Sequence, residues 1–103
     1  MDSLLSLIGL MYKAKKLILG ETILEEIDSV KFLFIASDAS DKTKERFIKK
    51  CNYYKINYCV DLDSKSISNA IGKDNIKVLG VIDEGFKETV LKKIGGNYGK
   101  TNL

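Results

Sequence analysis

Histidine is absent from this chain of 103 residues, and cysteine occurs only twice. The lack of histidine removes the most common general base and the most common transition-metal ligand from the candidate chemistry. The two cysteines, Cys51 and Cys59, are not spaced like a metal motif, and they fall on predicted buried faces of a helix and a strand. We therefore predict that both are core residues rather than ligands or nucleophiles.

Long apolar runs and catalytic motifs are also lacking. No stretch approaches the about 20 apolar residues that cross a bilayer, and the N-terminus does not resemble a signal peptide. No glycine-rich phosphate loop or nucleophile motif occurs. Asp38, Asp61 and Asp83 follow predicted strands and would suit Mg²⁺, but helix caps and turns explain each of them more simply. We predict a cytoplasmic protein without membrane association, cofactor or catalytic activity.

The composition is that of an ordinary globular domain, since 45% of the residues are hydrophobic and 30% are charged. A chain of this length forms one domain and buries roughly two thirds of its unfolded surface. The net charge of +3 permits nucleic-acid binding but does not require it. We predict a single domain over residues 1–95 and a flexible tail over residues 96–103.

Apolar strand patterns alternate with helical patterns along the whole chain. The central run at residues 30–36, closed by Ser37 and Asp38, is typical of a strand that is covered on both faces. Three similar runs lie at residues 17–19, 56–60 and 76–82. The alternation predicts an α/β fold: a three-layer α/β/α sandwich with a mainly parallel or mixed sheet of about four strands.

Charged residues mark three of the five predicted helices. The first helix ends in the lysine cluster, which consists of Lys13, Lys15 and Lys16. These lysines either stabilise the negative end of the helix dipole or contact phosphate. The second helix, predicted over residues 21–28 after Gly20, is acidic, and a glycine before a helix start lets a ligand come close. The third, predicted from about residue 40 to 54, carries five cations, which we interpret as a solvated face.

Several short motifs resemble those of the bacterial YlxQ-like proteins. The matching segments are residues 7–17 with 20–21 (LGLA-RAGKL-GE in that family), 35–44 with 50–54 (ASDAS-TK and KCEYY), 70–73 (AIGK) and 81–86 (VTDEGF). Each motif is weak alone. Their order and spacing make the resemblance fairly specific, and it extends over about residues 3–94.

This group is similar to the ribosomal proteins typified by L-seven-Ae and L-thirty-e, which are compact α/β/α sandwiches that often bind kink-turn RNA. The resemblance implies a monomeric, non-catalytic protein that binds structured RNA, either kink-turn or ribosomal RNA. It also implies an association with the ribosome or with translation, and ribosomal or other proteins as further partners.

The resemblance implies two RNA-contacting segments in addition to the lysine cluster. They are the start of the second helix, with Gly20, Glu21, Thr22 and Glu25, and the loop before the last strand, with Lys73, Asp74, Asn75 and Ile76. A helix start offers N–H groups to phosphate, a carboxylate accepts hydrogen bonds from an exposed guanine edge, and an apolar side chain packs on an unstacked base.

The sequence departs from the family where a lysine is expected, because Glu25 or Glu26 occupies that position. A carboxylate next to phosphate is repelled rather than attracted. The alternative interpretation is therefore a protein-interaction module that kept the fold, lost kink-turn binding and uses its acidic helix on a basic partner.

Overall fold

The computed structural model describes residues 3–95, where helices and strands alternate as predicted. The elements are α1 Ser3–Lys13, β1 Leu17–Leu19, α2 Thr22–Glu25, a 3₁₀ turn Ile27–Ser29, β2 Phe32–Ile35, α3 Asp41–Tyr54, β3 Asn57–Cys59, α4 Ser64–Ile71, β4 Val78–Val81 and α5 Glu84–Ile94. The tail predicted over residues 96–103 lies outside the described residues. Within the described part, none of the helices combines the length and apolar character that crossing a membrane requires.

The four strands form one mixed sheet in the order β1-β4-β2-β3. Strand β2 runs parallel to β3 and antiparallel to β4, and β4 is also antiparallel to β1. The predicted α/β fold with a mixed four-stranded sheet is confirmed, although antiparallel pairs outnumber the parallel pair. Because β1 and β4 are antiparallel neighbours, the end of β1 is next to the start of β4.

The two faces of the sheet pack against different helices. The cross-strand neighbours Ile18, Gly80 and Leu33 share one face. This face is covered by α2 and the chain after it, because a Cβ atom added to Gly80 would lie 3.2–3.4 Å from Ile18, Val30 and Ile23. Side chains alternate along each strand, so the opposite face belongs to the layer of α1, which contacts α4 and α5.

That opposite face is built around two phenylalanines and a close helix pair. The rings of Phe32 and Phe34 are 5.0 Å apart and almost fully buried. Above them α1 and α4 approach closely, since a Cβ atom added to Gly9 would lie only 2.9 Å from the carbonyl oxygen of Ala70. Gly9 thus permits the contact between these helices.

The prediction of one continuous acidic helix over residues 21–28 is wrong. Glu26 leaves helical geometry, with φ −119° and ψ +32°, so the segment is divided into the four-residue α2 and the 3₁₀ turn. The break bends the chain back towards β2, and it allows Ile23, Ile27 and Val30 all to be buried against the sheet. A continuous helix would carry the chain past the start of β2.

Two of the three aspartates considered above, Asp38 and Asp83, accept hydrogen bonds from groups at the starts of helices. Asp83 caps α5, where its Oδ2 accepts the N–H of Phe86 at 2.9 Å. Asp38 accepts both the N–H and the hydroxyl of Ser64 at 2.8 Å, and these bonds lower the pKa of its carboxyl group. Asp63 caps α4 by accepting the N–H of Ser66 at 2.9 Å. Among residues 3–95, no three metal-ligating side chains form a cluster.

The two cysteines are core residues, as predicted. Cys51 on α3 and Cys59 on β3 are both free and buried. Burial raises the pKa of the Cys51 thiol to about 12 and also raises the pKa of Cys59. Both thiols are therefore protonated at neutral pH, which makes them poor nucleophiles and poor ligands.

Candidate nucleic-acid interface

Two segments that are far apart in the sequence meet at one end of the sheet. Gly20 directly follows β1, and its N–H donates to the carbonyl oxygen of Val78, the first residue of β4, at 3.5 Å. Asn75 and Ile76 lead into the same strand from the preceding loop. Asn75 and Ile76 line a cavity of about 220 Å³ together with Gly20 and Glu21, and we call this cavity the cleft. The structure thus brings together Gly20, Glu21, Asn75 and Ile76.

Helix α3 forms the third wall of the cleft through Thr43, Arg46 and Phe47. The guanidinium of Arg46 donates to Oε2 of Glu21 at 2.8 Å, and its central carbon lies 5.2 Å from the centre of the Phe47 ring. Both charged side chains remain exposed. Arg46 was not among the predicted site residues, because nothing in the local sequence pattern distinguishes it from the other cations of α3.

The loop between α4 and β4 is held in place by a serine of α4. Ser68 is buried, and its hydroxyl oxygen accepts the N–H of Ile76 at 2.8 Å. Two positive φ angles, +69° at Gly72 and +56° at Asn75, turn the loop. Asparagine is one of the few residues that tolerate this conformation. The position of Ile76 at the cleft is therefore fixed by a buried side chain.

The start of α2 is not the open helix terminus that the resemblance implied. The helix has four residues, and the N–H groups of Gly20, Ile23 and Leu24 already donate to backbone carbonyl oxygens. Gly20 has a φ of +58°, and a Cβ atom added there would meet nothing within 4 Å. Glycine is thus favoured by its backbone conformation, and the approach to Gly20 is open.

Four other predicted contact residues are exposed but do not line the cleft: Thr22, Glu25, Lys73 and Asp74. Thr22 and Glu25 are the end residues of α2, and Lys73 and Asp74 precede the part of the loop that Ser68 holds. They are near the cleft in sequence but are not among the residues that line it.

The lysine cluster lies at the other end of the sheet. The carbonyl oxygen of Lys16 accepts the N–H of Ile82, just after β4, whereas Gly20 is beside the first residue of β4. The extended chain between Lys16 and Gly20 spans about 13 Å. Lys16 is instead near the start of α5, with its Nζ 3.9 Å from Oδ1 of Asp83. The predicted site residues therefore form two separate groups.

Comparison with known proteins shows which family the chain belongs to. No family model matches the chain. The RNA-binding protein YlxQ of Enterococcus faecium is 38% identical over 96 residues, which cover 89% of this chain and 91% of that protein. The RNA-binding protein YlxQ of Bacillus subtilis is 33% identical over 88 residues, which cover 82% and 88%.

A solved structure from Bacillus halodurans, described as a protein with unknown function, superimposes with a TM-score of 0.86. It is 32% identical, and the match covers 91% of this chain and 98% of the other. Neither YlxQ relative is named for a catalysed reaction, in agreement with the prediction of a non-enzyme. Since both relatives are more than 30% identical over most of their length, the chain belongs to the YlxQ family of bacterial proteins.

Proposed function

We propose that the chain is a non-catalytic RNA-binding protein that recognises kink-turn-like or other structured RNA at the cleft. The observation that carries this proposal is the meeting of Gly20-Glu21, Asn75-Ile76 and Arg46 from three separate segments. The relatives' names support RNA as the partner. Residues 1–95 would act as one RNA-binding domain in the cytoplasm, in association with the ribosome or translation and with ribosomal or other proteins.

Each group at the cleft suits a different part of a kinked RNA. Arg46 offers a planar, always charged donor for phosphate. Glu21 has one carboxylate oxygen on Arg46, and its other oxygen is available to accept hydrogen bonds from an exposed guanine edge. Ile76 is half-buried and offers an apolar surface to an unstacked base. Gly20 has no side chain to keep the RNA backbone away.

The lysine cluster makes a different contribution in this proposal. Lys13 and Lys15 are exposed and Lys16 is half-buried, at the end of the sheet remote from the cleft. Lysines attract phosphate without reading bases, and their contribution to affinity falls as salt rises. Base recognition at the cleft and general attraction at the lysine cluster are therefore separable by experiment.

The test is a binding titration against a standard kink-turn RNA and a matched straight duplex, at two salt concentrations. The proposal expects tight binding that selects the kinked RNA and depends modestly on salt.

In the variant Gly20→Asp, a side chain and a negative charge enter the open approach to the cleft. We expect the Kd for the kinked RNA to rise on the order of tenfold, with the fold intact by circular dichroism, since aspartate tolerates positive φ.

Thr89→Asp is the control for charge, because it also lowers the net charge by one and makes no special demand on the backbone. Thr89 is exposed on α5, in the layer of α1. Unchanged affinity is expected. Equal losses in both variants would show that only net charge was altered, and would overturn the cleft as the site.

One observation favours the second candidate, a protein-interaction module. Glu25, Glu26 and Asp28 are all exposed along α2 and the 3₁₀ turn, where they form an acidic surface. If the wild-type protein binds kinked and straight RNA equally weakly, and if salt abolishes both, the RNA proposal fails. The acidic surface would then be tested for binding to a basic protein partner.

A further inference from the structure

Helix α3 carries a positive surface that extends away from the cleft. The helix contains five cationic and two anionic residues, so its excess of three positive charges equals the net charge of the whole chain. Four exposed residues are spaced four, three and four positions apart, which places them on one helix face. We call this row the α3 track: Lys42, Arg46, Lys49 and Tyr53.

Tyr53 gives the α3 track an aromatic end. Its side chain is 77% exposed, and its ring is packed edge-on against Tyr54 with the ring centres 4.8 Å apart. Among the residues that the structure describes, large hydrophobic side chains are exposed only at Leu10, Tyr53 and Tyr54. An exposed aromatic ring costs hydrophobic free energy, and its contact with Tyr54 holds the ring face in a defined position for a ligand.

Arg46 connects the α3 track to the cleft. It lines the cleft with Glu21 and Ile76, and it also lines a shallow groove along α3 with Lys42, Lys49 and neighbouring side chains. From Arg46 to Tyr53 the helix rises by about 10 Å. A ligand that leaves the cleft at Arg46 therefore meets Lys49 and then the Tyr53 ring.

Resting on the proposed function, we infer that a single-stranded extension of the bound RNA follows the α3 track. Its phosphates lie against Arg46 and Lys49, and an unpaired base stacks on Tyr53. A cationic groove with an aromatic platform is the combination that proteins use to bind single-stranded nucleic acid.

The test compares one kink-turn RNA with the same RNA extended by about six unpaired nucleotides, on either its 5′ or its 3′ strand. For the wild-type protein, one of the two extensions is expected to tighten binding about tenfold. Tyr53→Ala should remove this gain and leave the affinity for the unextended RNA unchanged. Tyr53→Phe keeps the ring and should keep the gain.

Charge variants test the rest of the track. Lys49→Gln should reduce the salt slope for the extended RNA by about one. Lys65→Gln is the matched control, since Lys65 is exposed on α4 in the other helix layer, and it should leave that slope unchanged. A gain that persists in Tyr53→Ala would overturn stacking on this ring.

The outcomes separate this inference from the proposed function. If the wild-type protein selects the kinked RNA but binds extended and unextended forms equally, the α3 track is overturned while the cleft stands. If the wild-type protein selects neither kinked nor extended RNA, both are overturned.

Discussion

Among single residues, Lys15 and Lys55 are two lysines of the described chain that have left-handed backbone geometry. After α1, the N–H of Lys16 donates to the carbonyl of Met11 at 2.9 Å, and that of Lys15 to Tyr12 at 3.0 Å. This pair of bonds is a Schellman motif, whose left-handed position is usually glycine. Lys15 occupies that position with a φ of +61°. The family pattern that the sequence resembles has glycine there, so the lysine adds charge at a cost in backbone strain.

Lys15→Gly should therefore stabilise the protein. Removing the side chain relieves left-handed strain of about 1–2 kcal/mol, and part of this gain is offset because glycine is more flexible when unfolded. We expect a net gain of about 1 kcal/mol in the free energy of unfolding, measured by urea denaturation. Lys13→Gly, at the last residue of α1, should instead cost about 1 kcal/mol. A loss of stability in Lys15→Gly would contradict this account.

Sequence patterns predicted residue roles well where the interaction is local. Asp83 was expected to form a helix cap or a turn, and it accepts the N–H three residues further on. Ser40 and Asp63 cap α3 and α4 in the same way. Arg46 could not be singled out, because its partner Glu21 is 25 positions away and only the tertiary fold brings them together.

Among the elements, α4 positions the loop that reaches the cleft. The buried hydroxyl oxygen of Ser68 on α4 accepts the N–H of Ile76. Local periodicity predicted the helix and the polar loop after it. It could not predict this bond, since the register between the helix and the loop depends on how both pack on the sheet.

Ser68→Ala should weaken RNA binding as well as stability. The N–H of Ile76 would lose its partner in a half-buried position, which costs about 1–3 kcal/mol. Because the loop would no longer be held at the cleft, we also expect a several-fold rise in the Kd for kinked RNA. Thermal unfolding and the kink-turn titration measure the two effects. Thr89→Ala removes an exposed hydroxyl bond within α5 and serves as the control.

A drop in stability without any change in the Kd would be informative. It would mean that Ser68 supports the fold while the position of Ile76 at the cleft is set by other contacts. The proposed role of the loop would then rest on Asn75 and Lys77, which also line the cleft.

At the scale of the whole molecule, strand β1 separates predicted site residues that are close together in the sequence. The alternation of helices and strands was predictable, because periodic patterns report which faces are buried. The order β1-β4-β2-β3 was not predictable, since pairing depends on contacts between distant segments. The lysine cluster and Gly20, both predicted as RNA contacts, lie at opposite ends of the sheet because β1 extends between them.

This separation predicts the behaviour of a triple variant. Replacing Lys13, Lys15 and Lys16 by glutamine should weaken kinked and straight RNA to similar extents, because these lysines attract phosphate at a distance from the cleft. The salt slope should fall by up to about one per lysine that contacts phosphate. The ratio of the two Kd values, which measures selectivity, should remain as in the wild-type protein.

The control for that experiment replaces three other exposed lysines by glutamine, Lys65, Lys92 and Lys93. It changes the net charge by the same amount, because three positive charges are removed in both variants. We expect a smaller change in salt slope in this control than in the lysine-cluster variant. If the lysine-cluster variant loses selectivity for the kinked RNA, the cluster takes part in reading the kink and the two groups of residues act as one site.

The edges of the sheet limit the ways in which this protein makes contacts. Its two outer strands, β1 and β3, are each three residues long. Such short edges expose few backbone N–H and carbonyl groups to an incoming peptide, so β-augmentation by a partner strand would gain little. Partners must therefore be selected by side chains on the loops and helices, where substitutions alter recognition without altering the sheet.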